Sequence, residues 1–312
     1  MRPVHAAGAE ALAGALEANA GAVVQMAPGH CTFAPHGAPG LRASAWLTDH
    51  WLLVDAPFLE PAGGVTAWEV FAANALLPAG LKGCTGGSDP ALRLRAELPI
   101  LEHRPVAQSV QEVCVGLAAA VACFRPETLG ARPPWRTETS GGSIAAADVD
   151  LRQLCAETSW PCTMRGSDTV MVELDVPGTF QQATVEMHPH RGVVVSVPVL
   201  PEPPRAPVCE TAVGAFLLQA TGAVRLARAA TRTARGPLCF EVVCTSVPAT
   251  PTAAELAHAF AALSLAWRCA GREAVVLAGD ERIAQLYLDR APPRIAGACV
   301  QESTTNNQQL TT

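Results

Sequence analysis

The sequence predicts an α+β fold written twice in tandem, and three observations carry that prediction. From Val106 to Phe124, Val106, Val110, Val113, Leu117, Val121 and Phe124 recur at steps of four and three, one apolar stripe of a helix. From Thr252 to Gly271, Leu256, Phe260, Leu263 and Trp267 recur in the same way. Each of these helices follows an alternating strand, Leu92–Leu98 or Leu238–Cys244, and each such strand follows another apolar helix. The register points to duplication: Leu92 and Leu238, Val110 and Leu256, Leu117 and Leu263, and Val121 and Trp267 all stand 146 residues apart. Upstream, Leu76-Leu77 and Gly80 match Leu217-Leu218 and Gly222 at offsets of 141 and 142. The difference falls in a turn between two strands, where a longer loop costs little.

Unit one spans residues 1–124. Ala6–Ala20, rich in Ala, Leu and Glu, has strong intrinsic helix propensity. Ala22–Met26 reads as a short strand, and Pro28–Gly40, dense in Gly, Pro and His, as a loop. Leu41–Leu47 and Trp51–Ala56 read as a hairpin around Thr48-Asp49-His50. Thr66-Ala67-Trp68-Glu69 is a capping box: the Thr hydroxyl accepts from a free first-turn amide while the Glu reaches back. The helix it opens runs to Leu77, where Pro78 and Gly80 stop it. A strand over Gly80–Thr85, the turn Gly86–Pro90 and the alternating strand Leu92–Leu98 lead to the closing helix, with Pro105 in its first turn.

Residues 125–147 break the pattern. Pro126, Pro133, Pro134 and a Thr-Glu-Thr-Ser-Gly-Gly-Ser run mark them as an inter-domain linker. Unit two spans 148–290. Its first helix, ending at Thr158, is capped by Asp148 or Asp150. The strand candidates that follow are Cys162–Arg165, Thr169–Val176, Thr184–His188 and Val193–Leu200. A proline-rich connector at 201–207 leads to a helix, Cys209–Ala220, then to a hairpin of Ala223–Thr233 and Leu238–Val247. Thr252-x-x-Glu255 is a second capping box, and it opens the closing helix. A short extra helix, Glu281–Leu288, comes last, and the polar tail at 291–312 is expected to be disordered. The expected order in each unit is helix, three strands, helix, two strands, helix, with a five-stranded, mostly antiparallel sheet, although unit two offers four strand candidates before its central helix.

Composition narrows the function classes. At 312 residues, with 49% hydrophobic and 16% charged side chains, the chain can bury two ordinary cores. A net charge of −6 and an aromatic share of 5% argue against nucleic acid, which needs clustered cations and stacking platforms. The eleven cysteines are odd in number and contain no Cys-x-x-Cys. Cys114, Cys123, Cys239, Cys244 and Cys269 fall in apolar periodic segments, where a thiol acts as a small hydrophobe. Met1–Ala20 carries Glu10 and Glu17 and lacks the pattern of a secretory signal, and no apolar run is long enough to span a membrane. A reducing, cytoplasmic setting is expected.

Motifs for chemistry are sparse. His188 and His190 flank Pro189 in a turn, where two imidazoles with Glu186 or Cys162 suit zinc, but no second cluster supports a metal and none is expected. His30, Cys31 and His36 share a loop without any nucleophile motif, so a packed Cys is the expectation. Gly63-Gly64, Gly86-Gly87 and Gly141-Gly142 lack phosphate-loop spacing and read as turns. Glu173 and Asp175 alternate with Val172, Leu174 and Val176, the pattern of a strand's wet face. No catalytic residue and no cofactor is expected. Trp46 and Trp51 lie across one hairpin and Trp68 opens the next helix. In a chain with few aromatics these three are the candidate partner-binding residues, with core filling as the alternative.

The segments Leu76-Leu77-Pro78-Ala79-Gly80-Leu81 and Leu92-Arg93-Leu94-Arg95-Ala96-Glu97-Leu98-Pro99, followed by an apolar helix, resemble the type III secretion chaperone-like (Tir chaperone-like) family. Leu217-Leu218-Gln219-Ala220-Thr221-Gly222, Leu238–Val247 and Pro251–Gly271 carry the same likeness in unit two. In that family a central helix ends near a glycine, two antiparallel strands follow, and the last helix packs back on the sheet. The resemblance implies a small, acidic, cytoplasmic bacterial protein that holds a partner polypeptide in extended form. It also implies that the two units, joined in one chain, form an intramolecular pseudo-dimer. The function expected is a non-enzymatic protein-binding module, chaperone- or adaptor-like, acting by sheet-edge or apolar-groove contact. The alternatives are a structural or assembly subunit of a larger complex, and an enzyme with a site in the cleft between units.

Overall fold

The computed structural model describes residues 6–38, 40–57, 65–86, 89–100, 105–124, 149–166, 169–188, 191–232, 236–244 and 251–290. The linker at 125–147, the tail at 291–312 and the glycine pair at 63–64 lie outside them. The first half contains α1 (Ala6–Asn19), β1 (Ala20–Ala27), β2 (His30–Pro35), β3 (Ala43–Leu47), β4 (Trp51–Pro57), α2 (Ala67–Asn74), β5 (Leu81–Gly86), β6 (Asp89–Pro99) and α3 (Val106–Cys123). The second contains α4 (Leu151–Glu157), β7 (Cys162–Met164), β8 (Thr169–Leu174), β9 (Gln181–His188), β10 (Gly192–Leu200), α5 (Pro207–Ala223), β11 (Arg228–Thr231), β12 (Leu238–Val243) and α6 (Ala253–Ala266). A π-helical turn, Trp267–Gly271, then leads into α7 (Arg272–Gly279) and α8 (Glu281–Arg290).

The α+β class holds, with two antiparallel sheets. Each sheet has six strands rather than five, because four strands precede the central helix where three were expected. In the first half the extra strand is β2, hidden by the Pro and Gly residues around it. Its own residues alternate: Cys31, Phe33 and Pro35 are buried, while His30, Thr32 and Ala34 are only partly so. The first sheet runs β1-β2-β3-β4-β6-β5 and the second β7-β8-β9-β10-β12-β11, which is the same order. The closing helix of the second half is also longer in effect than its apolar stripe, since α7 follows the π turn directly.

Alternation decides which face of each strand is dry. Leu92, Leu94, Ala96 and Leu98 of β6 are buried, and their neighbours Arg93, Arg95 and Glu97 point to the other face. Helices α1 and α3 pack on each other and on the dry face of the first sheet, as α4 and α6 do on the second. Both capping boxes form: the backbone N–H of Thr66 donates to Glu69 Oε2 at 2.7 Å, and that of Thr252 to Glu255 Oε2 at 2.9 Å. They open different helices of the repeat, α2 in one half and α6 in the other.

The halves meet reciprocally. α2 packs on β11, while α5 packs on β5, so each half's fifth strand is covered by the other half's central helix. A buried cation sits on each of these strands, Lys82 and Arg228, and the two stand 146 residues apart. Lys82 Nζ donates to Glu97 Oε2 at 2.7 Å and across the boundary to the Val224 carbonyl at 2.5 Å. Arg228 contacts Glu241 and donates across to the carbonyls of Leu77, Pro78 and Leu81 at 2.9, 3.1 and 2.6 Å. Glu97 also accepts from the backbone N–H of Leu226 at 2.6 Å. Fully buried Asn74, the last residue of α2, accepts from the Gly83 N–H at 2.6 Å and donates to the carbonyls of Gly83 and Ala229. Apolar contact is continuous with these bonds, and a single cluster of buried side chains runs through both halves.

Gly80 makes the turn from α2 into β5 possible. Its φ is +71°, and a Cβ there stands 2.5 Å from Leu98 Cδ2 and 2.8 Å from the Glu97 carbonyl. Gly80→Ala is therefore expected to cost about 2 kcal/mol from backbone strain and overpacking together, read as a lower urea midpoint with unchanged slope.

Candidate functional site

The sequence-nominated tryptophans do not gather into one surface. Trp46, on β3, stacks its ring on His30 of β2 with centroids 4.9 Å apart, on the sheet face away from α1 and α3. Trp51 opens β4 at the boundary between the halves, where the Arg225 guanidinium lies 5.0 Å over its ring and the His258 ring stands 6.1 Å away. Trp68 is buried on α2, edge-on to Phe71 at 5.6 Å. One is thus a sheet-face residue, one a boundary residue and one a core residue.

The other candidates separate as well. His30 and Cys31 are neighbours on β2, so their side chains point to opposite faces. His36 is exposed beyond the strand. Burial, aided by Glu17, pushes the Cys31 thiol up, which keeps it protonated. Burial does the same to Cys114, pushed up to about 11, and to Cys155 and Cys239, each pushed up to about 12. Cys162 pairs with Val172 and so faces the core, whereas Glu186 pairs with Thr169 on the opposite face and is engaged by Arg232. His190 lies outside the described residues. Among the described residues no group of three His, Cys, Asp or Glu is placed to hold a metal. Glu173 and Asp175 are exposed, the wet side of β8 and the turn after it.

An open concave surface lies elsewhere, on α7 and α8, which both pack against α5. Local chemistry builds it. The π turn at Trp267–Gly271 is anchored by the Trp267 indole, whose Nε1 donates to the Pro198 carbonyl at 3.1 Å. Gly271 is required because a Cβ there runs into the Trp267 ring. At the turn after α7, Asp280 Oδ1 accepts from the backbone N–H groups of Arg282 and Ile283, capping α8. Along α8, Ile283, Leu286, Tyr287 and Arg290 recur at helical spacing, one stripe aimed along the groove between the two helices.

This groove has a volume of about 710 Å³. Its floor is Leu277, Phe216 and Tyr287, the last two meeting edge-on at 5.9 Å. Burial raises the Tyr287 phenol, which stays protonated. Val276, Ile283 and Leu286 line its sides and are 48%, 42% and 53% exposed. Arg268, Arg272 and Arg290 stand around it, with Glu273 the single carboxylate. None of these residues is among the sequence-nominated ones. Their signal was the three-and-four spacing of Ile283, Leu286, Tyr287 and Arg290 in a segment read only as an extra helix. The arrangement offers apolar contact flanked by guanidinium donors, which is binding chemistry.

No family model, no curated protein and no solved structure matches the chain. Among the described residues no helix is long and apolar enough to cross a membrane. The fold is an α+β arrangement of two like-ordered halves, with an open concave surface formed by α5, α7 and α8.

Proposed function

We propose that this protein is a non-enzymatic protein-binding module, chaperone- or adaptor-like, whose two units form an intramolecular pseudo-dimer. One observation carries the reading: the α7–α8 groove keeps large apolar side chains half exposed inside a concavity. The reciprocal packing of α2 on β11 and α5 on β5 supports the pseudo-dimer. The order of elements supports the type III secretion chaperone resemblance, with one extra strand per unit.

Groove contact is favoured over sheet-edge contact. The edges β5 and β11 are covered across the boundary, β7 has three residues, and the pairing of β1 with β2 is broken by two register shifts. The test is affinity capture from native lysate, comparing the tagged wild type with Leu286→Asp. The expected result is a set of proteins retained by the wild type and depleted about tenfold by the variant, as for a contact at the centre of an interface. Recovery of no protein above background by the wild type counts heavily against the reading.

A further inference from the structure

We propose that the groove between α7 and α8 receives an acidic amphipathic helix from another protein. The proposal rests on the protein-binding reading above and names the chemistry of the partner at that site.

Charge is the first argument. Arg268, Arg272 and Arg290 are exposed at the groove, and their guanidinium groups make no ion pair or hydrogen bond among the described residues. Four arginines on or next to strands are paired instead: Arg93 with Asp55, Arg191 and Arg228 with Glu241, and Arg232 with Glu186. The chain as a whole carries −6, so an excess of cations around one apolar groove runs against its overall charge. A guanidinium fork is matched by carboxylate oxygens, and a partner that supplies them gains bonds which Glu273 alone cannot provide.

Shape is the second. α7 and α8 lie side by side on α5, and the space between two such helices takes the side-chain ridge of a third. Ile283, Leu286 and Tyr287 supply apolar positions at the spacing another helix reads as anchors. A membrane fits less well, because Val276, Ile283 and Leu286 line a concavity instead of a convex ridge. Nucleic acid gains nothing from Ile283 and Leu286, and Phe216 and Tyr287 are already packed edge-on against each other. A second copy of this chain is also disfavoured. The exposed face of α1 presents Glu10 and Glu17, but with only Ala11, Gly14 and Ala18 beside them it has no apolar anchor.

The experiment uses the full chain and three labelled helical peptides, followed by fluorescence anisotropy. One peptide has Leu anchors flanked by Glu, one the same anchors flanked by Lys, and one Glu flanks with Ser in place of Leu. The Glu–Leu peptide is expected to bind saturably, with each of the others at least about tenfold weaker. Raising the salt from about 50 mM to about 500 mM weakens the Glu–Leu peptide. Arg272→Glu with Arg290→Glu, both exposed and unpaired, reverses the preference towards Lys flanks, with circular dichroism confirming an unchanged fold. Equal binding of the Glu and Lys peptides, or no effect of the double reversal, overturns the acidic-partner inference and leaves the protein-binding reading standing. Binding of phosphatidylserine-containing vesicles without peptide binding, or concentration-dependent self-association lost in Leu286→Asp, also overturns it. If no peptide binds and the lysate capture is empty as well, both fall.

Discussion

Glu241→Ala is expected to lower stability by about 3–5 kcal/mol, the largest effect of any single substitution considered for this protein. Glu241 is 3% exposed, and its carboxylate meets two buried guanidiniums, those of Arg228 and Arg191. Burial pushes Arg228 down to about 10 against the pull of Glu241, so the cation is already held at a cost. Truncating Glu241 leaves both guanidiniums buried without this counter-charge. Adding Arg228→Met is expected to recover some of the loss, because it removes one of the stranded charges. A urea titration of the single and double variants measures both effects, and a loss under about 1 kcal/mol for Glu241→Ala refutes the assignment.

The same pair has a pH signature. Burial on its own lifts a carboxyl, but Arg228 and Arg191 outweigh it and hold Glu241 below the ordinary value of 4.5. A carboxylate whose folded pKa is depressed contributes its stability above the unfolded pKa and loses it as pH falls through the folded one. The gap in urea midpoint between wild type and Glu241→Ala is therefore expected to be full at neutral pH and to shrink below pH 4.5. A gap that widens in acid contradicts this.

Asn74→Leu is expected to cost about 3 kcal/mol or more while nearly conserving volume. The Asn74 amide satisfies both outward-facing backbone groups of Gly83 on β5 and, through Nδ2, the Ala229 carbonyl on β11. Leucine supplies none of these, and the site is fully buried. Asn74→Asp, which keeps the acceptor for Gly83 N–H and loses the donor, is expected to fall between. Hydrogen exchange of β5 and β11 amides should rise in Asn74→Leu before that of β3 or β10. Uniform acceleration across all strands would mean that Asn74 does not act at the boundary.

The legible regions of this chain were those written in local chemistry. Thr66 with Glu69 and Thr252 with Glu255 announced their helices because a capping box needs only four residues and no tertiary partner. The alternation of β6 and the stripe of α3 were legible for the same reason. β2 was obscured by its flanks, since Pro28, Gly29 and Gly37 read as a loop although Cys31-Thr32-Phe33 between them alternates. Lys82, Glu97, Arg228 and Glu241 are charged residues on strands with no local mark of burial, and contacts across the boundary help to bury them. The groove was missed for a related reason. Its walls come from α7, α8 and α5, and no stretch of sequence shows that Phe216 and Tyr287 meet.

Lys82 and Arg228 occupy equivalent places but are not interchangeable. Lys82 reaches diagonally to Glu97 and takes one carbonyl of the other half; Arg228 pairs with the residue directly opposite, Glu241, and takes three. The two sets of contacts across the boundary are therefore not alike. Were the gene split in the linker, its two products would be expected to assemble as a heterodimer in preference to either homodimer. In the intact chain the halves are tethered, so their association does not depend on concentration, and dilution that would separate a pair of untethered chains leaves this one closed.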